Sequence, residues 1–471
     1  MNKEKQYAKN TVILLIGKFS TQIISFLLLP LYTYKLTTDN YGYIDLIQTY
    51  VSLLAPIVLL QLDSAVFRYL IDVRDNKEEK KKVISSSFMC IIVVLIISSL
   101  VFFTINYFIE IRYYKYIAIN MLAIVLNTYS MSIARGNGHN KVYAISSIIS
   151  SIVTLLVNMI LIIGLGFDAK SILIAAIVSN IISFFFVLKK ESIYELISIS
   201  YFDKNVLKKL LKYSIPMIPN VLSWWVVGLS DRTLIVYYIG TAANGIYSVS
   251  CKFSNLLNGI FSIFNMSWQE TASLHINDKD SSEFFSKMII NVFNLFVIIS
   301  CVIIAILPFV FDIVIGNDYS ESYKYIPIML SANLGSVLVG LFGGIYVAKK
   351  MTKKVASTTI CSAIINIIVN ILFIKKIGLY AACLSTLIAY FVMLVYRYYD
   401  IKKIINIKID INKYIFYISC YIVLLVTYYI YKPIIGLIII VIVIIFYLKE
   451  NKDFIKEIIK ALKKKRNINK I

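Results

Sequence analysis

The stretch VISSSFMCIIVVLIISSLVFFTIN, residues 83–106, contains no charged residue and decides the class of fold. A transmembrane helix needs about 20 consecutive apolar residues, because the hydrocarbon core of a bilayer is about 30 Å thick. Lys80, Lys81 and Lys82 stand directly before this stretch, as expected where a helix is anchored at one membrane surface. The segment therefore predicts a membrane-spanning helix.

Comparable apolar segments recur along the 471 residues of the chain, 59 % of which are hydrophobic. Lipid offers no hydrogen bonds to the backbone, so such segments cross a membrane as helices. The sequence predicts an all-α integral membrane protein with about 14 transmembrane helices and no sizeable soluble domain. The predicted spans are 11–31, 43–67, 83–107, 116–134, 143–165, 169–188, 214–239, 244–268, 288–311, 325–348, 355–374, 378–398, 413–431 and 433–448.

The 48 Lys and Arg residues are distributed unevenly between the two sides of this predicted bundle. If the N-terminus is cytoplasmic and residues at the span ends are counted with the adjoining loops, 37 of them lie on its side, 8 lie on the opposite side and 3 lie within spans. Short cytoplasmic loops carry the positive excess in membrane proteins. We therefore predict that both termini face the cytoplasm, with the first span retained and not cleaved as a signal peptide.

The formal charge of +22 flanks the apolar segments and does not form a single patch. This distribution argues against a nucleic-acid partner and predicts anionic membrane lipids as neighbours. The six cysteines show no CxxC spacing, and His139 and His275 stand apart in predicted loops. Metal sites need clustered ligands, so we expect no metal, no cofactor and no catalytic residue.

Three elements of the first half recur in the same order in the second half, which predicts an internal duplication. An even number of spans separates the equivalent helices, so the two copies share one orientation in the membrane. The recurring elements are Tyr41-Gly42-Tyr43 with Gly245-Ile246-Tyr247, Ala134-Arg135 and Lys141 with Ala348-Lys349 and Lys354, and Val157-Asn158, Gly166 and Ala169 with Val369-Asn370, Gly378 and Ala381.

This duplication predicts two parallel-repeat six-helix lobes around a central cavity. The N-terminal lobe covers residues 1–190 and the C-terminal lobe covers residues 213–400. Residues 191–212 mix polar and apolar side chains, which is typical of an amphipathic linker lying on the cytoplasmic surface. Residues 401–471 supply an extra helix pair and a basic cytoplasmic tail.

Ionisable residues inside spans concentrate in the first two helices of each lobe. Each one costs about 2.5–3.5 kcal/mol at the centre of a bilayer, so we expect them to line a hydrated cavity between the lobes. The cations predicted to bind an anionic substrate are Lys18, Arg68, Arg232 and Lys252. The acids predicted to couple transport to an ion are Asp45, Asp63 and Asp231. Snorkelling of Lys18 and a headgroup position for Arg68 are the alternatives.

Prolines punctuate the same helices. Pro216 and Pro219 open the seventh predicted span and Gly228 follows them, which predicts a hinge in that helix. Pro30 and Pro56 are predicted to break the first two spans. The alternative is that these prolines only terminate helices.

From Lys9 to about Tyr399, the chain resembles Wzx-type polysaccharide flippases of the multidrug/oligosaccharidyl-lipid/polysaccharide (MOP) exporter superfamily. The block around Asp231 and Arg232 is the most specific part of this resemblance. The segments that carry the resemblance are Asn10-Thr11, Gly17-Lys18, Pro30-Leu31-Tyr32-Thr33, Asn40-Tyr41-Gly42-Tyr43, Asp231-Arg232, Gly240, Asn244-Gly245-Ile246-Tyr247-Ser248, and Asn370 with Gly378 and Ala381-Ala382.

The resemblance implies alternating-access transport of an undecaprenyl-diphosphate-linked oligosaccharide, from the inner to the outer leaflet of the bacterial cytoplasmic membrane. The product would enter capsule, O-antigen or a related surface polymer, with glycosyltransferases and a polysaccharide polymerase as partners. The family implies coupling to a proton or sodium gradient, and no phosphate loop with GK[ST] occurs in the chain.

Three alternatives stay open at this point. A lipid II flippase and a cation-coupled drug exporter belong to the same superfamily. A membrane polysaccharide polymerase or glycosyltransferase is less favoured, because such enzymes need a long outward loop or a cytoplasmic catalytic domain. The outward loops predicted here are short.

The predicted topology can be measured with reporter fusions at four loop positions. We expect fusions after Lys170 and Lys376 to report the outside, and fusions after His139 and Thr352 to report the cytoplasm, because the basic loops face inward. Alkaline phosphatase and green fluorescent protein activities give the two readouts. The same reporter activity at all four positions would contradict the span alternation.

Overall fold

The computed structural model describes residues 3–405, 407 and 411–450. Within these residues the regular secondary structure is helical and contains no strand. The side chains left outside the description are those of residues 3–16, 18, 19, 263, 266, 352, 411–414 and 450. The all-α fold expected from the sequence is confirmed. The predicted basic tail, residues 451–471, lies outside the described residues.

The first half of the chain forms nine helices, of which α8 is a single short turn in the segment after α7. A π-helical turn, Met159–Gly164, extends α6. The helices are α1 (Lys3–Lys35), α2 (Thr38–Val58), α3 (Leu62–Asp72), α4 (Lys77–Phe108), α5 (Tyr114–Gly136), α6 (Asn140–Asn158), α7 (Lys170–Lys190), α8 (Ile193–Leu196) and α9 (Lys204–Ser214).

The second half of the chain contributes eight helices among the described residues. Short 3₁₀ segments at Ile215–Met217 and Asn317–Lys324 precede α10 and α13. The helices are α10 (Ile218–Tyr238), α11 (Thr241–His275), α12 (Ser281–Val314), α13 (Ile326–Ala348), α14 (Thr352–Ile377), α15 (Leu379–Lys402), α16 (Ile411–Tyr429) and α17 (Pro433–Glu450).

Eight of the described helices are long and apolar enough to cross a membrane, and the bent pair α2–α3 would make nine. The described parts of α16 and α17 are apolar but shorter, at Ile415–Tyr429 and Pro433–Lys449. Helices α10 and α11 have the length of a span, but their polar residues lower the mean hydropathy. The chain is therefore a multi-pass membrane protein, and the number of 14 spans stays a prediction.

The prolines act differently in different helices. Near Pro56, α2 ends at Val58, and α3 continues at an angle of 47° after Leu60 and Gln61 adopt left-handed backbone conformations. The predicted break at Pro56 is confirmed. The predicted break at Pro30 is wrong, because α1 runs through it without interruption. A proline in a helix loses one backbone hydrogen bond, and the remaining bonds can hold the helix together.

The duplicated element has a glycine with positive φ in both halves. Gly166 and Gly378 both have left-handed φ angles, of 64° and 59°. The residues that precede them by eight positions, Asn158 and Asn370, are both fully buried. A β-carbon disfavours positive φ, which explains why glycine occupies both positions.

Helices α1–α7 form one bundle, here called the N-lobe, and α10–α15 form a second bundle, the C-lobe. Within the N-lobe α6 packs on α1 and α7, and within the C-lobe α15 packs on α13 and α14. The two lobes meet chiefly where α2 crosses α11, with further contacts from α1 to α11 and from α2 to α10. Helices α16 and α17 pack on α12, outside this junction.

The segment between the lobes is fastened to the N-lobe by two serines of α4. Ser85 Oγ donates to the Leu196 carbonyl and accepts from the Ser198 amide, each at 3.0 Å, and Ser86 Oγ accepts from the Asp203 amide at 2.9 Å. Asp203 then caps α9, and backbone N–H groups of the first turn lower the pKa of its carboxyl. The linker predicted over residues 191–212 is therefore not one continuous helix, because the chain is interrupted between α8 and α9.

Candidate functional site

An ion pair joins the two lobes where α2 and α11 cross. Arg232 Nε of α10 lies 2.7 Å from Asp45 Oδ2 of α2, and Ser248 Oγ of α11 donates to the same carboxylate oxygen at 2.5 Å. The side chains of Arg232 and Asp45 are only 7 % and 13 % exposed. Because neither charge is well solvated, each depends on the other for neutralisation. The pair therefore holds one lobe against the other.

The crossing also brings two glycines into close contact with the opposite backbone. A β-carbon on Gly42 would clash with the Thr241 carbonyl, and one on Gly245 would clash with the Thr38 carbonyl. Asn244 Nδ2 donates to the Gly42 carbonyl at 2.7 Å, across the same junction. This reciprocal packing closes the end of the molecule that carries the α1–α2 and α10–α11 turns, here called the turn end.

The segment before α13 covers the turn end on one side. Tyr319 donates its hydroxyl hydrogen to the Leu36 carbonyl at 3.0 Å, and its ring makes an edge contact with Tyr41. Tyr34 likewise donates to the Asp312 carbonyl at 2.7 Å. These contacts connect α1 and α2 of the N-lobe with α12 and the 3₁₀ segment that follows it.

Two polar cavities lie further along the lobe junction, with volumes of about 400 Å³ and about 390 Å³. The first extends into the N-lobe among α1, α2, α5, α6 and α7, and the second lies between α1 and α11. Ser25 and Lys252 line both cavities. Among the described residues, half-buried Lys252 forms no ion pair. Its ammonium group therefore borders both cavities without an ion-pair partner among these residues.

More than half of the residues that line the larger cavity carry neutral hydroxyl or amide groups. Charge patterning in the sequence does not reveal them, because the charged residues of α5, α6 and α7 lie only near the helix ends. A detectable signal was present in the sequence, since the polar residues of α6 recur every three or four positions on one helical face. The lining residues of these three helices with hydroxyl or amide groups are Asn127, Tyr143, Ser147, Ser150, Ser151, Thr154, Ser179 and Asn180.

Asp231 occupies a separate, fully enclosed position in the C-lobe, where it is 1 % exposed. Its carboxylate accepts hydrogen bonds from Thr386 Oγ1 at 2.7 Å, Asn370 Nδ2 at 2.8 Å and Tyr247 OH at 3.0 Å. Asn370 Oδ1 is buried beside it and has no hydrogen-bond partner among the described residues. Ser385 Oγ also donates to this carboxylate, at 3.5 Å, so four neutral donors surround one buried acid.

The structure brings some of the sequence-predicted site residues together and separates others. Asp45, Arg232 and Lys252 lie at the lobe junction, whereas Asp231 lies inside the C-lobe. Asp63 begins α3, and Arg68 of the same helix pairs with Asp72 at 2.6 Å on an exposed face. Neither Asp63 nor Arg68 lines the two cavities described above. The side chain of Lys18 lies outside the described residues.

The predicted hinge residues are placed at and within α10. Pro216 belongs to the 3₁₀ turn that precedes α10, and Pro219 stands in its first turn, where a missing N–H is not needed. Gly228 lies midway along the helix, and a β-carbon there would meet no atom within 4 Å. The helix is continuous in this conformation, so the hinge role stays a prediction.

A buried arginine in the C-lobe was not predicted. Arg397 of α15 is 1 % exposed, and its guanidinium donates to Thr358 Oγ1 at 2.8 Å and 3.0 Å and to the Val339 carbonyl at 2.8 Å. It binds α14 and α13 to α15 without a carboxylate partner in the described part of the chain. Near the end of the same helix, Asp400 pairs with Lys354 at 2.7 Å.

The family described as "Polysaccharide biosynthesis protein" matches residues 7–269, more than half of the chain. This protein is a member of the polysaccharide biosynthesis protein family. The match covers the whole N-lobe and continues through α10 and most of α11. It therefore includes Asp45, Arg232 and Lys252, the charged residues of the lobe junction.

Solved transporters show the same fold as this family member. A lipid II flippase, MurJ, in an inward closed conformation superposes with a TM-score of 0.72 at 18 % identity, over 94 % of this chain and 100 % of the other. An inward-facing multidrug resistance MATE family transporter of the MOP superfamily gives a TM-score of 0.65 at 13 % identity, over 84 % of this chain and 95 % of the other. The fold is therefore that of flippases and exporters of the MOP superfamily.

A short sequence match connects the chain with a protein of the Lsg locus of Haemophilus influenzae. The two are 39 % identical over 61 residues, which are 13 % of this chain and 15 % of the relative. The chain therefore matches only a small part of that relative. The expected resemblance to a polysaccharide biosynthesis family is confirmed by the family match, and the fold is shared with solved transporters of the MOP superfamily.

The lobe junction yields a mutational prediction. Asp45→Ala leaves the buried Arg232 guanidinium unpaired, so we expect the closed turn end to lose about 3–5 kcal/mol of stabilisation. Disulfide trapping between Asp39→Cys and Thr241→Cys, in a chain with its native cysteines replaced, measures closure, because these two side chains touch. We expect the yield to fall more than tenfold in Asp45→Ala.

The matched control removes both charges. The double variant Asp45→Ala, Arg232→Ala leaves no unpaired buried ion, and we expect it to recover part of the disulfide yield. Equal trapping in the parent, the single variant and the double variant would show that the ion pair does not stabilise closure.

Proposed function

We propose that this protein moves a diphosphate-linked oligosaccharide on a polyprenyl carrier from the inner to the outer leaflet of the bacterial cytoplasmic membrane. Undecaprenyl diphosphate is the proposed carrier, and a surface polysaccharide such as capsule or O-antigen is the proposed end product. The family description, the MOP fold and the polar cavities between the lobes support this proposal. The protein would act after glycosyltransferases and before a polymerase, with no catalytic step of its own.

The position of Lys252 is the main support for this proposal. A diphosphate needs a cation, and Lys252 lines both cavities with no ion pair among the described residues. Arg232 is another of the predicted substrate-binding cations, but Asp45 neutralises it in this conformation. We therefore assign the first contact with the diphosphate to Lys252, and we assign Arg232 to the junction that the lobes must break during transport.

The closed turn end supports an inward-facing state. With the N-terminus in the cytoplasm, α1 runs outward, so the turn end lies at the outer surface and the cavities lie on its cytoplasmic side. The fold agrees better with the inward-facing MATE transporter, at a TM-score of 0.65, than with an outward-facing one, at 0.55. Transport would then separate α2 from α11 at the turn end and close the opposite end.

The lining of the larger cavity favours a glycan over a drug. Sites for drug-sized molecules are mostly apolar and aromatic. Here 13 of the 21 lining side chains carry neutral hydroxyl or amide groups, and three of these are tyrosines. A sugar presents many hydroxyl groups, each of which needs a hydrogen-bond partner when water is removed.

Replacing Lys252 tests this assignment in cells that lack the chromosomal copy. We expect Lys252→Ala to reduce surface polymer at least tenfold, because a hydrogen bond to a charged group is worth about 1.5–3 kcal/mol. Lipid-linked repeat units should accumulate in the inner leaflet, as shown by their protection from an impermeant oxidant. We expect Lys252→Arg to retain more export than Lys252→Ala, because it keeps the charge.

Lys287→Ala is the matched control, because this exposed residue of α12 pairs with Glu283 and lines neither cavity. We expect the control to export normally. Normal polymer from Lys252→Ala would reject the phosphate contact. Accumulation of units that are flipped but not polymerised would instead support the polymerase alternative.

We assign ion coupling to Asp231. Its buried carboxylate accepts hydrogen bonds from Asn370 and Thr386, and the buried Asn370 Oδ1 has no partner among the described residues. Oxygen ligands of this kind suit a sodium ion, and the carboxylate alone suits a proton. Asp45 is already paired with Arg232, and Asp63 lies in α3 away from both cavities, so neither replaces Asp231 in this role.

Asp231→Asn tests the coupling in proteoliposomes with an imposed sodium or pH gradient. We expect the variant to lose the acceleration of lipid transfer by the gradient and to bind undecaprenyl diphosphate as the parent does, because Lys252 is intact. Asp312→Asn, which changes an exposed acid of the same lobe, is the control. A parent-like response to the gradient in Asp231→Asn would overturn the assignment.

A further inference from the structure

The N-lobe wall of the larger cavity contains two linked amide side chains. Asn127 of α5 donates from Nδ2 to Asn180 Oδ1 of α7 at 2.8 Å. Ser183 donates to Asn127 Oδ1 at 2.8 Å, and Asn180 donates to the Ala176 carbonyl at 2.8 Å. These partners fix which atom of each amide is the oxygen, since a rotated amide would face a donor with a donor.

Each of these amides keeps unused hydrogen-bonding capacity. An amide side chain has two N–H hydrogens and about two acceptor positions on its oxygen. The bonds described above use one hydrogen and one acceptor position of Asn127, and the same of Asn180. One N–H and one acceptor position remain on each residue, and both residues line the cavity.

The facing helix offers acceptors. Ser147, Ser151 and Thr154 of α6 each donate their hydroxyl hydrogen to a carbonyl of their own helix, at 3.0 Å, 2.8 Å and 2.8 Å. A hydroxyl that donates in this way still has a lone pair to accept a hydrogen bond. All three residues line the same cavity. The wall therefore combines amide donors with hydroxyl acceptors, which matches the mixed donor and acceptor character of a sugar.

We propose that this wall, centred on Asn127 and Asn180, binds the sugar that is attached directly to the diphosphate, and that it selects an uncharged sugar. This inference rests on the proposed function. Lys252 stands where the two cavities meet, so a diphosphate held there has the N-lobe cavity on one side. The first sugar then enters the N-lobe cavity while the lipid carrier leaves by the other side.

The charged groups around the cavity are the reason for expecting an uncharged sugar. Among the residues whose side chains the structure describes, its only ionisable lining groups that are charged near neutral pH are Asp45 and Lys252. Asp45 is neutralised by Arg232, and Lys252 is engaged by the diphosphate in the proposed complex. A uronic acid would bring a carboxylate against amides and hydroxyls with no free cation among these described lining groups, which leaves its charge poorly compensated.

The selectivity can be measured by binding to the purified full-length protein in detergent micelles. The four probes are undecaprenyl diphosphate alone and undecaprenyl diphosphate bearing glucose, N-acetylglucosamine or glucuronic acid. We expect the two neutral glycolipids to bind the parent protein more tightly than the sugar-free lipid, and the glucuronyl lipid to bind no more tightly.

Asn127→Leu and Asn180→Leu remove the amides while nearly conserving side-chain volume. We expect each to weaken binding of the neutral glycolipids about tenfold, because one or two hydrogen bonds are lost. Binding of undecaprenyl diphosphate alone should not change, which also verifies that the variants are folded. Asn120→Leu is the control, since this buried residue lies on α5 but does not line the cavity.

The outcomes separate this inference from the proposed function. If the parent binds none of the four lipids, the proposed function fails and the sugar site fails with it. If the parent binds all four equally, the proposed function stands and the sugar site is overturned. Loss of the sugar-free lipid along with the glycolipids in Asn127→Leu and Asn180→Leu also overturns it, as does parent-like binding of the neutral glycolipids in both variants.

Discussion

The structure depends on one constraint, which is that an ionised group shielded from water needs a partner of opposite charge. Asp45 and Arg232 meet this constraint only across the lobe junction, where they lie 2.7 Å apart. Separating the lobes would therefore leave both of these charges without their partner. Gly42 and Gly245 permit the approach, because any side chain at either position would clash with the opposite backbone.

The two halves share a backbone plan but differ in chemistry. Gly245 follows Gly42 by 203 residues, and at the same spacing Ser248 corresponds to Asp45. Leu28 and Leu29 correspond in this way to Asp231 and Arg232. The buried acid of the C-lobe has no counterpart in the N-lobe, which instead holds the cavity with neutral polar walls. The two halves therefore share the helix arrangement, and differences at a few side chains separate the proposed coupling site from the proposed substrate site.

Separate sites for the substrate and the ion are consistent with the proposed transport. A diphosphate at Lys252 would bring negative charge to the junction, close to the Asp45–Arg232 pair that closes the turn end. An ion at Asp231 would act on α10, which carries both Asp231 and Arg232. Both events act on α10, so the substrate and the ion can favour the same movement of the lobes without touching each other.

The sequence by itself determined the helical membrane fold and the duplication. Hydrocarbon cannot satisfy backbone hydrogen bonds, and the apolar runs are long enough to be recognised without tertiary contacts. It also identified Asp45, Asp231, Arg232 and Lys252, because charges inside spans are conspicuous. Only the tertiary structure decided that Arg232 is paired while Lys252 lacks an ion-pair partner in the described part of the chain. It also revealed the role of neutral residues such as Asn127, since partners and shared cavities depend on helices that are far apart in the chain.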